Sequence, residues 1–215
     1  MRKKFTFTAA VFFFAAVLAM AAGRRAPETD EMPEGPRLNA PAPDFTLPDL
    51  EGEEVSLSDY EGSYVVLEWI NYDCPFVVKH YASGNMQSLQ DEYTEKGVIW
   101  LGIGSSAPGT QGFFSPEEWK ELAAGRDSNP THILLDPEGR VGRLYRARTT
   151  PEIFIINPEG ILIYMGAIDD TPSRDPGDIP GSVNYVRETL DAAMAGEEIE
   201  VQQTRPYGCS VKYAD

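Results

Sequence analysis

The sequence has few of the side chains that commonly serve catalysis and metal binding. Its 215 residues include only two cysteines and two histidines. It contains no phosphate-binding loop, hydrolase nucleophile elbow or zinc-binding motif. Positive charge is also scarce, since 18 lysines and arginines stand against 34 acidic residues and the net charge is −16. Such an acidic chain argues against a nucleic-acid partner and leaves the two cysteines as the main candidates for chemistry.

The same scarcity argues against a resident metal. The available soft ligands are Cys74, Cys209, His80 and His132, and no closely spaced pair of cysteines occurs among them. An isolated histidine is more often a packed or exposed residue than a ligand. We therefore predict that the protein uses neither a metal nor another cofactor.

The first 22 residues have the form of a secretory signal peptide. A basic start at residues 2–4 precedes an apolar stretch at residues 5–22 that ends in Ala-Met-Ala. No cysteine follows this stretch, so lipidation at a cleavage cysteine is not available. A length of about 18 apolar residues is the lower edge of what can span a bilayer, which leaves an uncleaved membrane anchor as the alternative. We predict export to the periplasm or the extracellular space.

The rest of the chain divides into a linker, one domain and a tail. Residues 23–42 are rich in proline and charge and lack an apolar period, which is typical of a linker. Residues 43–198 show the short strands and helices of a single domain of ordinary size. Residues 199–215 form a C-terminal tail that carries Cys209. In an exported protein both cysteines would meet an oxidising environment, where a disulfide can persist.

Local patterns within the domain predict alternating strands and helices. Strands are expected at residues 44–47, 54–57, 64–70, 98–103, 132–135, 152–156 and 161–167, and helices at 75–96 with an interruption near Ser83-Gly84, at 116–124, at 139–147 and after Ser182. The first two strands flank a turn and predict a hairpin. The order strand, helix, strand over residues 64–103 implies a parallel crossover.

Cys74 is the residue best placed for covalent chemistry. It follows the apolar strand and directly precedes Pro75, where the next helix is expected to begin. At a helix N-terminus the unpaired backbone N–H groups and the helix dipole favour the thiolate, which is the nucleophilic form of cysteine. Nucleophilic sulfur chemistry is therefore our first hypothesis.

Several motifs taken together resemble the thioredoxin-like superfamily. They are Ala42-Pro43-Asp44-Phe45-Thr46-Leu47, Val55-Ser56-Leu57-Ser58-Asp59-Tyr60, Val65-Val66-Leu67-Glu68-Trp69, Cys74-Pro75, and Thr150-Pro151 before an apolar strand. More narrowly, they resemble its redoxin branch, which includes peroxiredoxins of the alkyl hydroperoxide reductase type and exported thioredoxin-like thiol-disulfide proteins. The resemblance covers about residues 38–196. It implies an α/β fold with a central mixed sheet, helices on both faces and an N-terminal β-hairpin.

The resemblance implies roles for several residues around Cys74. Cys74 takes the position of the nucleophile in a Cys-x-x-Cys site, whose second cysteine is replaced by Val77. Thr150 and Pro151 match the segment whose cis-proline packs against the nucleophile, the alternative being a trans proline that starts an edge strand. With these two residues, Pro75 and Trp69 are the candidates for substrate binding.

Glu68 lies six residues before Cys74, where thioredoxins keep a buried acid that accepts a proton. Burial would raise the pKa of this carboxyl and suit it to proton transfer with a thiolate. The alternative is a strand-end glutamate that reaches solvent or pairs with a lysine.

The peroxiredoxin pattern itself is incomplete in this chain. Leu67 and Asn71 occupy the positions of its proline and threonine. Peroxiredoxins also use an arginine beside the sulfur. Here Arg146 or Arg148 could reach the site, but we favour the alternative, a solvated arginine at the end of a helix. These departures count against efficient peroxide reduction.

The tail segment Thr204–Tyr213 resembles the closing segment of a peroxiredoxin-like subgroup whose active site also reads Cys-Pro-Phe-Val. The resemblance implies that Cys209 resolves the oxidised form of Cys74, with Gly208 giving the tail its freedom to fold back. The substrate would be a thiol or disulfide protein partner or a small peroxide. The alternative is a non-catalytic binding module in which the two cysteines form a permanent disulfide, worth about 4–5 kcal/mol in the chain-entropy model.

Overall fold

The computed structural model describes residues 35–214 of the chain. Its strands are β1 (Thr46–Pro48), β2 (Glu54–Ser56), β3 (Val65–Trp69), β4 (Ile99–Gly104), β5 (His132–Leu135), β6 (Thr149–Thr150), β7 (Glu152–Ile156), β8 (Leu162–Gly166) and β9 (Cys209–Ser210). Its α-helices are α1 (Pro75–Ala82), α2 (Asn85–Glu95), α3 (Pro116–Ala124), α4 (Arg140–Leu144) and α5 (Tyr185–Ala195). The predicted signal peptide lies outside the described residues. No helix within the described range is both long and apolar enough to cross a membrane.

A five-stranded mixed sheet forms the centre of the molecule. Its strand order is β5-β4-β3-β7-β8, in which β3, β4 and β5 are parallel while β7 and β8 run antiparallel to their neighbours. The predicted mixed sheet and the parallel crossover from β3 to β4 are confirmed. The predicted N-terminal hairpin is also present as β1 and β2, which pair antiparallel beside the main sheet.

Side chains alternate along β3 between the two faces of the sheet, because successive residues of a strand point in opposite directions. Val66 and Ile70 face the core that packs α1, α2, α3 and α5. Val65, Leu67 and Trp69 face the second core, which the N-terminal hairpin and α4 cover. Helices therefore lie on both faces, and β3 is buried on both sides.

The predicted helix over residues 75–96 is two helices, as the interruption near Ser83-Gly84 indicated. Gly84 adopts a left-handed backbone with φ of 74° between α1 and α2. Such a conformation favours glycine, because a Cβ would collide with the backbone. Helix α3 begins as its capping box predicts, with the Ser115 side chain accepting from the Glu118 amide and the Glu118 carboxylate accepting from the Ser115 amide.

The C-terminal tail is packed against the domain along its length. The Thr204 hydroxyl accepts from the Ala167 amide at 2.8 Å, and the Lys212 carbonyl accepts from the Ala107 amide at 2.8 Å. Near the end of the tail, the Tyr213 hydroxyl donates to the Ala147 carbonyl at 2.7 Å. Between these anchors β9 pairs antiparallel with β6, so the fold itself brings Cys209 to the strand that precedes Pro151.

Candidate active site

Cys74 lies at the join between the end of β3 and the start of α1. It is the N-cap residue of α1, with an extended backbone (φ −78°, ψ 121°), and Pro75 occupies the first helical position. Pro75 fits there because its missing N–H would have no partner in the first turn of a helix. The Cys74 side chain is fully buried, and its thiol donates to the Thr150 carbonyl at 2.9 Å.

The Thr150–Pro151 segment lies directly against Cys74. The peptide bond between these two residues is cis, as the resemblance predicted. Thr150 belongs to β6, and its partner in the antiparallel register is Cys209. The same residue therefore contacts one cysteine through its carbonyl and stands opposite the other.

Cys209 is partly buried, and it packs against the core that contains Cys74. Both residues are free thiols. Burial, together with the neighbouring Cys74 thiol, raises the pKa of the Cys209 thiol to about 12. Cys209 is therefore a protonated thiol at neutral pH and a poor first nucleophile.

The structure gives Gly208 a role other than the tail flexibility that the sequence suggested. Its φ is +151°, and a Cβ at this position would lie 2.1 Å from the Thr150 carbonyl oxygen. The absence of a side chain lets the tail backbone lie flat against β6, where Cys209 can reach Cys74. Gly208 thus allows close packing of the tail, and the expectation of a freely moving tail is corrected.

Glu68 is fully buried beneath α1 and α2. Its carboxylate accepts from Trp100 Nε1 at 2.9 Å, from the Tyr81 hydroxyl at 3.3 Å and from Gln90 Nε2 at 3.4 Å. Burial outweighs these bonds and raises the pKa of Glu68 to about 7. Glu68 reaches neither solvent nor a lysine within the described part of the chain. Its hydrogen bonds there go to these three side chains and not to a cysteine.

Trp69 and Pro75 differ in what they offer to a substrate. Pro75 is exposed at the start of α1, beside Cys74. Trp69 is fully buried in the opposite core, where its indole donates to Ser105 Oγ at 3.1 Å and its ring packs on Tyr145. Because Trp69 lies in the core on the other face of the sheet from Cys74, we do not retain it in the proposed substrate surface.

The arginines considered for peroxide binding make no hydrogen bond to Cys74 within residues 35–214, since the Cys74 thiol bonds to the Thr150 carbonyl. Arg146 packs on Gly35, and Arg148 is exposed near Glu152. Asn71, which replaces the threonine of the peroxiredoxin pattern, accepts through Oδ1 from the Asp73 amide at 2.9 Å and so shapes the turn before Cys74.

The structure adds functional candidates that the sequence did not single out. Glu152 is buried at the start of β7 and accepts from the Arg148 and Thr149 amides, which fixes the turn before Pro151. Its carboxyl interrupts an apolar strand, and that signal was available in the sequence. Lys79 and Asp169 form a buried ion pair that also holds Tyr207, although they are far apart in sequence and no local pattern connects them.

Metal ligands do not gather at any point among residues 35–214. No group of three or more histidine, cysteine or acidic side chains there has a geometry that could hold a metal ion. His132 pairs with Asp49 at 3.3 Å, and His80 hydrogen-bonds to Tyr207 at 3.2 Å. Neither histidine contacts the two cysteines.

Comparison with known sequences gives a family match and several relatives. The model of the AhpC/TSA family matches residues 38–165. The thiol-disulfide oxidoreductase ResA of Halalkalibacterium halodurans is 28% identical over 129 residues, which are 60% of this chain and 68% of that protein. Peroxiredoxin-2 of Macaca fascicularis is 30% identical over 145 residues, which are 63% of this chain and 71% of that protein.

Solved structures of similar shape cover most of the chain. An uncharacterized conserved protein from Geobacillus kaustophilus is 31% identical with a TM-score of 0.72, and the match covers 83% of this chain and 93% of that one. A hypothetical protein from Sinorhizobium meliloti 1021 is 25% identical with a TM-score of 0.71, covering 84% and 97% of the two chains. The similarity thus extends beyond the residues matched by the family model.

Proposed function

Because the chain belongs to the AhpC/TSA family of the thioredoxin-like superfamily, we propose that it is an exported thiol-dependent oxidoreductase with two separated cysteines. Cys74 is the nucleophile and Cys209 is the resolving cysteine. The observation that supports this assignment most strongly is the position of Cys209 opposite Thr150 in the pairing of β9 with β6, because the Thr150 carbonyl accepts from the Cys74 thiol at 2.9 Å.

The first step is attack by the Cys74 thiolate on a disulfide of the substrate. A bond forms between Cys74 Sγ and one substrate sulfur, the substrate disulfide breaks, and the other substrate sulfur leaves as a thiolate. The Thr150 carbonyl accepts a hydrogen bond from the Cys74 thiol in the resting state. The helix N-terminus at Cys74 then favours the negative charge on sulfur once that proton has gone.

The second step is attack by Cys209 on the mixed disulfide at Cys74. The Cys209 thiol gives its proton to water, and its sulfur bonds to Cys74 Sγ as the bond between Cys74 and the substrate sulfur breaks. The second substrate sulfur leaves as a thiolate. The substrate disulfide has gained two electrons, and the protein now holds a Cys74–Cys209 disulfide. An external dithiol protein must reduce this bond to complete the cycle.

A peroxide would be handled by the same two cysteines. The Cys74 thiolate would attack one peroxide oxygen, giving a sulfenic acid and releasing an alcohol or water after protonation, and Cys209 would displace water to form the same disulfide. We place disulfide exchange first because Leu67 and Asn71 replace the family's peroxide-site residues.

The proposal is tested by the intact mass of the protein after thiol alkylation across a series of dithiothreitol redox buffers. We expect a single Cys74–Cys209 bridge that opens at a potential above about −300 mV, the range below which structural disulfides usually fall. A bridge that survives strongly reducing buffer would identify a permanent staple and favour the binding-module alternative. Two thiols that never bridge would contradict a resolving role for Cys209.

Export is proposed from the leader-like residues 1–22, which precede the described structure. The N-terminal sequence of protein recovered from the producing cell should begin after residue 21 or 22. Recovery of the intact leader in the membrane fraction would favour the uncleaved anchor, and recovery of intact protein from the cytosol would contradict export.

We propose Glu68 as the group that exchanges a proton with the redox site. Its pKa of about 7 allows it to take up or release a proton near neutral pH. In Glu68→Gln, the rate of the first step above pH 7 should fall by about tenfold or more. The pH profile of this rate should also lose the inflection that titration of Glu68 produces. Stopped-flow kinetics of single-turnover disulfide reduction between pH 5 and pH 9 measure this effect, and an unchanged pH profile would remove Glu68 from the mechanism.

The same variant makes a separate prediction for stability. Burial raises the pKa of Glu68 from 4.5 to about 7, so the folded protein holds this proton more tightly than the unfolded chain does. Its contribution to stability is therefore fully present below pH 4.5 and is lost as the pH rises to about 7, at a cost of about 3 kcal/mol. In urea unfolding, the free energies of unfolding of wild type and Glu68→Gln should be nearly equal at pH 4.5. At pH 8 the variant should be more stable than wild type. A constant difference across this range would contradict the raised pKa.

A further inference from the structure

A buried polar cluster lies between α1 and the tail, away from the two thiols. The Lys79 ammonium group donates to Asp169 Oδ2 at 3.0 Å and to the Thr171 carbonyl at 2.7 Å. The side chains of Lys79 and Asp169 are 0% and 2% exposed. Burying such a pair costs free energy unless every charged group is well hydrogen-bonded, so the identity of each partner matters.

The remaining partner of this ion pair comes from the tail. The Tyr207 hydroxyl donates to Asp169 Oδ1 and accepts from Lys79 Nζ at 3.4 Å. With this contact the three donors of the Lys79 ammonium group are all satisfied. The tail therefore completes an ion pair that the domain leaves incomplete by itself.

His80 on α1 also hydrogen-bonds to the Tyr207 hydroxyl. Asn85 Oδ1 accepts from Asn184, which turns Asn85 Nδ2 towards His80 Nδ1 at 2.9 Å. His80 Nδ1 is therefore an acceptor, and Nε2 carries the proton that it donates to the Tyr207 hydroxyl at 3.2 Å. Burial lowers the pKa of His80 to about 4, so the ring keeps this neutral form at physiological pH.

Tyr207 stands only two residues before Cys209, and both contact α1 or its N-cap. The Tyr207 ring packs against Phe76 with centroids 5.7 Å apart, and Cys209 packs against the core that contains Cys74. A tail held at Tyr207 presents Cys209 to Cys74 without a search through other conformations. Such pre-organisation converts a slow encounter into a fast intramolecular step.

We propose that Tyr207 is a positioning residue that sets the rate at which Cys209 resolves the oxidised form of Cys74. Its anchor is the buried pair of Lys79 and Asp169 together with His80. This inference rests on the proposed function, because it concerns the second step of that reaction. The first step, in which Cys74 attacks the substrate, does not depend on the anchor.

The test compares two conservative variants, Tyr207→Phe and Tyr185→Phe. Tyr185 lines the same groove beside the tail, and its hydroxyl makes no hydrogen bond within residues 35–214. A small aromatic disulfide whose released thiolate absorbs visible light is mixed with reduced protein in stopped flow. Release of its first thiolate reports the attack by Cys74, and release of the second reports resolution by Cys209.

For Tyr207→Phe we expect the second release to slow by about tenfold while the first is unchanged, because a hydrogen bond to a charged group is lost. Loss of the anchor also lowers the effective concentration of the Cys209 thiol at Cys74. A tenfold fall in this concentration raises the reduction potential of the Cys74–Cys209 disulfide by about 30 mV. Tyr185→Phe should match wild type in both. Equal slowing of both steps, equal effects of the two variants, or an unchanged second step would overturn the positioning role. If wild type itself shows no second release, the proposed function fails instead.

Discussion

Replacing Cys74 by serine should abolish disulfide reduction, with a loss of at least about 1,000-fold, because a serine hydroxyl stays protonated where a thiol ionises. Replacing Cys209 by serine should leave the first step intact and stop the second step, which is resolution of the mixed disulfide. Its product is a protein that carries half of the substrate on Cys74. Intact mass after one equivalent of an aromatic disulfide distinguishes the two, since only the Cys209→Ser protein gains the mass of the adduct.

These two variants control for each other, because each replaces one sulfur atom by oxygen. Serine at position 74 can still donate to the Thr150 carbonyl, so the thermal midpoint should change little in both proteins. Retained activity in Cys74→Ser would show that Cys74 is not the nucleophile. Full multiple turnover in Cys209→Ser would show that an external thiol resolves the adduct.

Replacing Gly208 by alanine should slow resolution by about 10- to 100-fold, since a side chain in this backbone region costs about 1–3 kcal/mol and here also meets a neighbour. The new Cβ would lie 2.1 Å from the Thr150 carbonyl oxygen and 2.7 Å from its carbonyl carbon. The tail must then lift from β6 and carry Cys209 away from Cys74. The rate of formation of the Cys74–Cys209 disulfide from an adduct at Cys74 measures the effect.

Gly62→Ala is the matched control for this change. Gly62 also has a positive φ of 89°, but nothing lies within 4 Å of the position that its Cβ would occupy. Its replacement should cost some stability through backbone strain and leave both redox steps at wild-type rates. If Gly208→Ala resolves as fast as wild type, contact of the tail with Thr150 does not govern resolution.

Local sequence was sufficient where short-range rules decide the structure. Helix α3 begins and ends at Pro116 and Ala124 as its capping box predicts, and β5 spans His132–Leu135 as its apolar run predicts. The alternation of strands and helices, with the resemblance, identified the fold class. These features depend on backbone hydrogen bonds and caps within a few residues, and such rules can be applied to a sequence directly.

Several features of the site depended on contacts between distant segments. Lys79 and His80 are charged or polar residues on a helix that would ordinarily face solvent, yet the structure buries both against Asp169 and Tyr207. Trp69 follows the apolar pattern of its strand, but only the sheet shows that it faces away from Cys74. Side-chain burial of this kind is set by which surfaces pack together, and that is a property of the whole fold.

The sequence by itself determined that a cysteine begins a helix after a buried strand, that a Thr-Pro segment precedes a later strand, and that a glutamate interrupts the first of these strands. Each depends on residue type and short spacing. Only the tertiary structure decided that Cys209 stands opposite Thr150, whose carbonyl accepts from the Cys74 thiol. The two cysteines belong to segments with no local relation, and it is the pairing of β9 with β6, made possible by a glycine that packs flat on the strand, that brings them together.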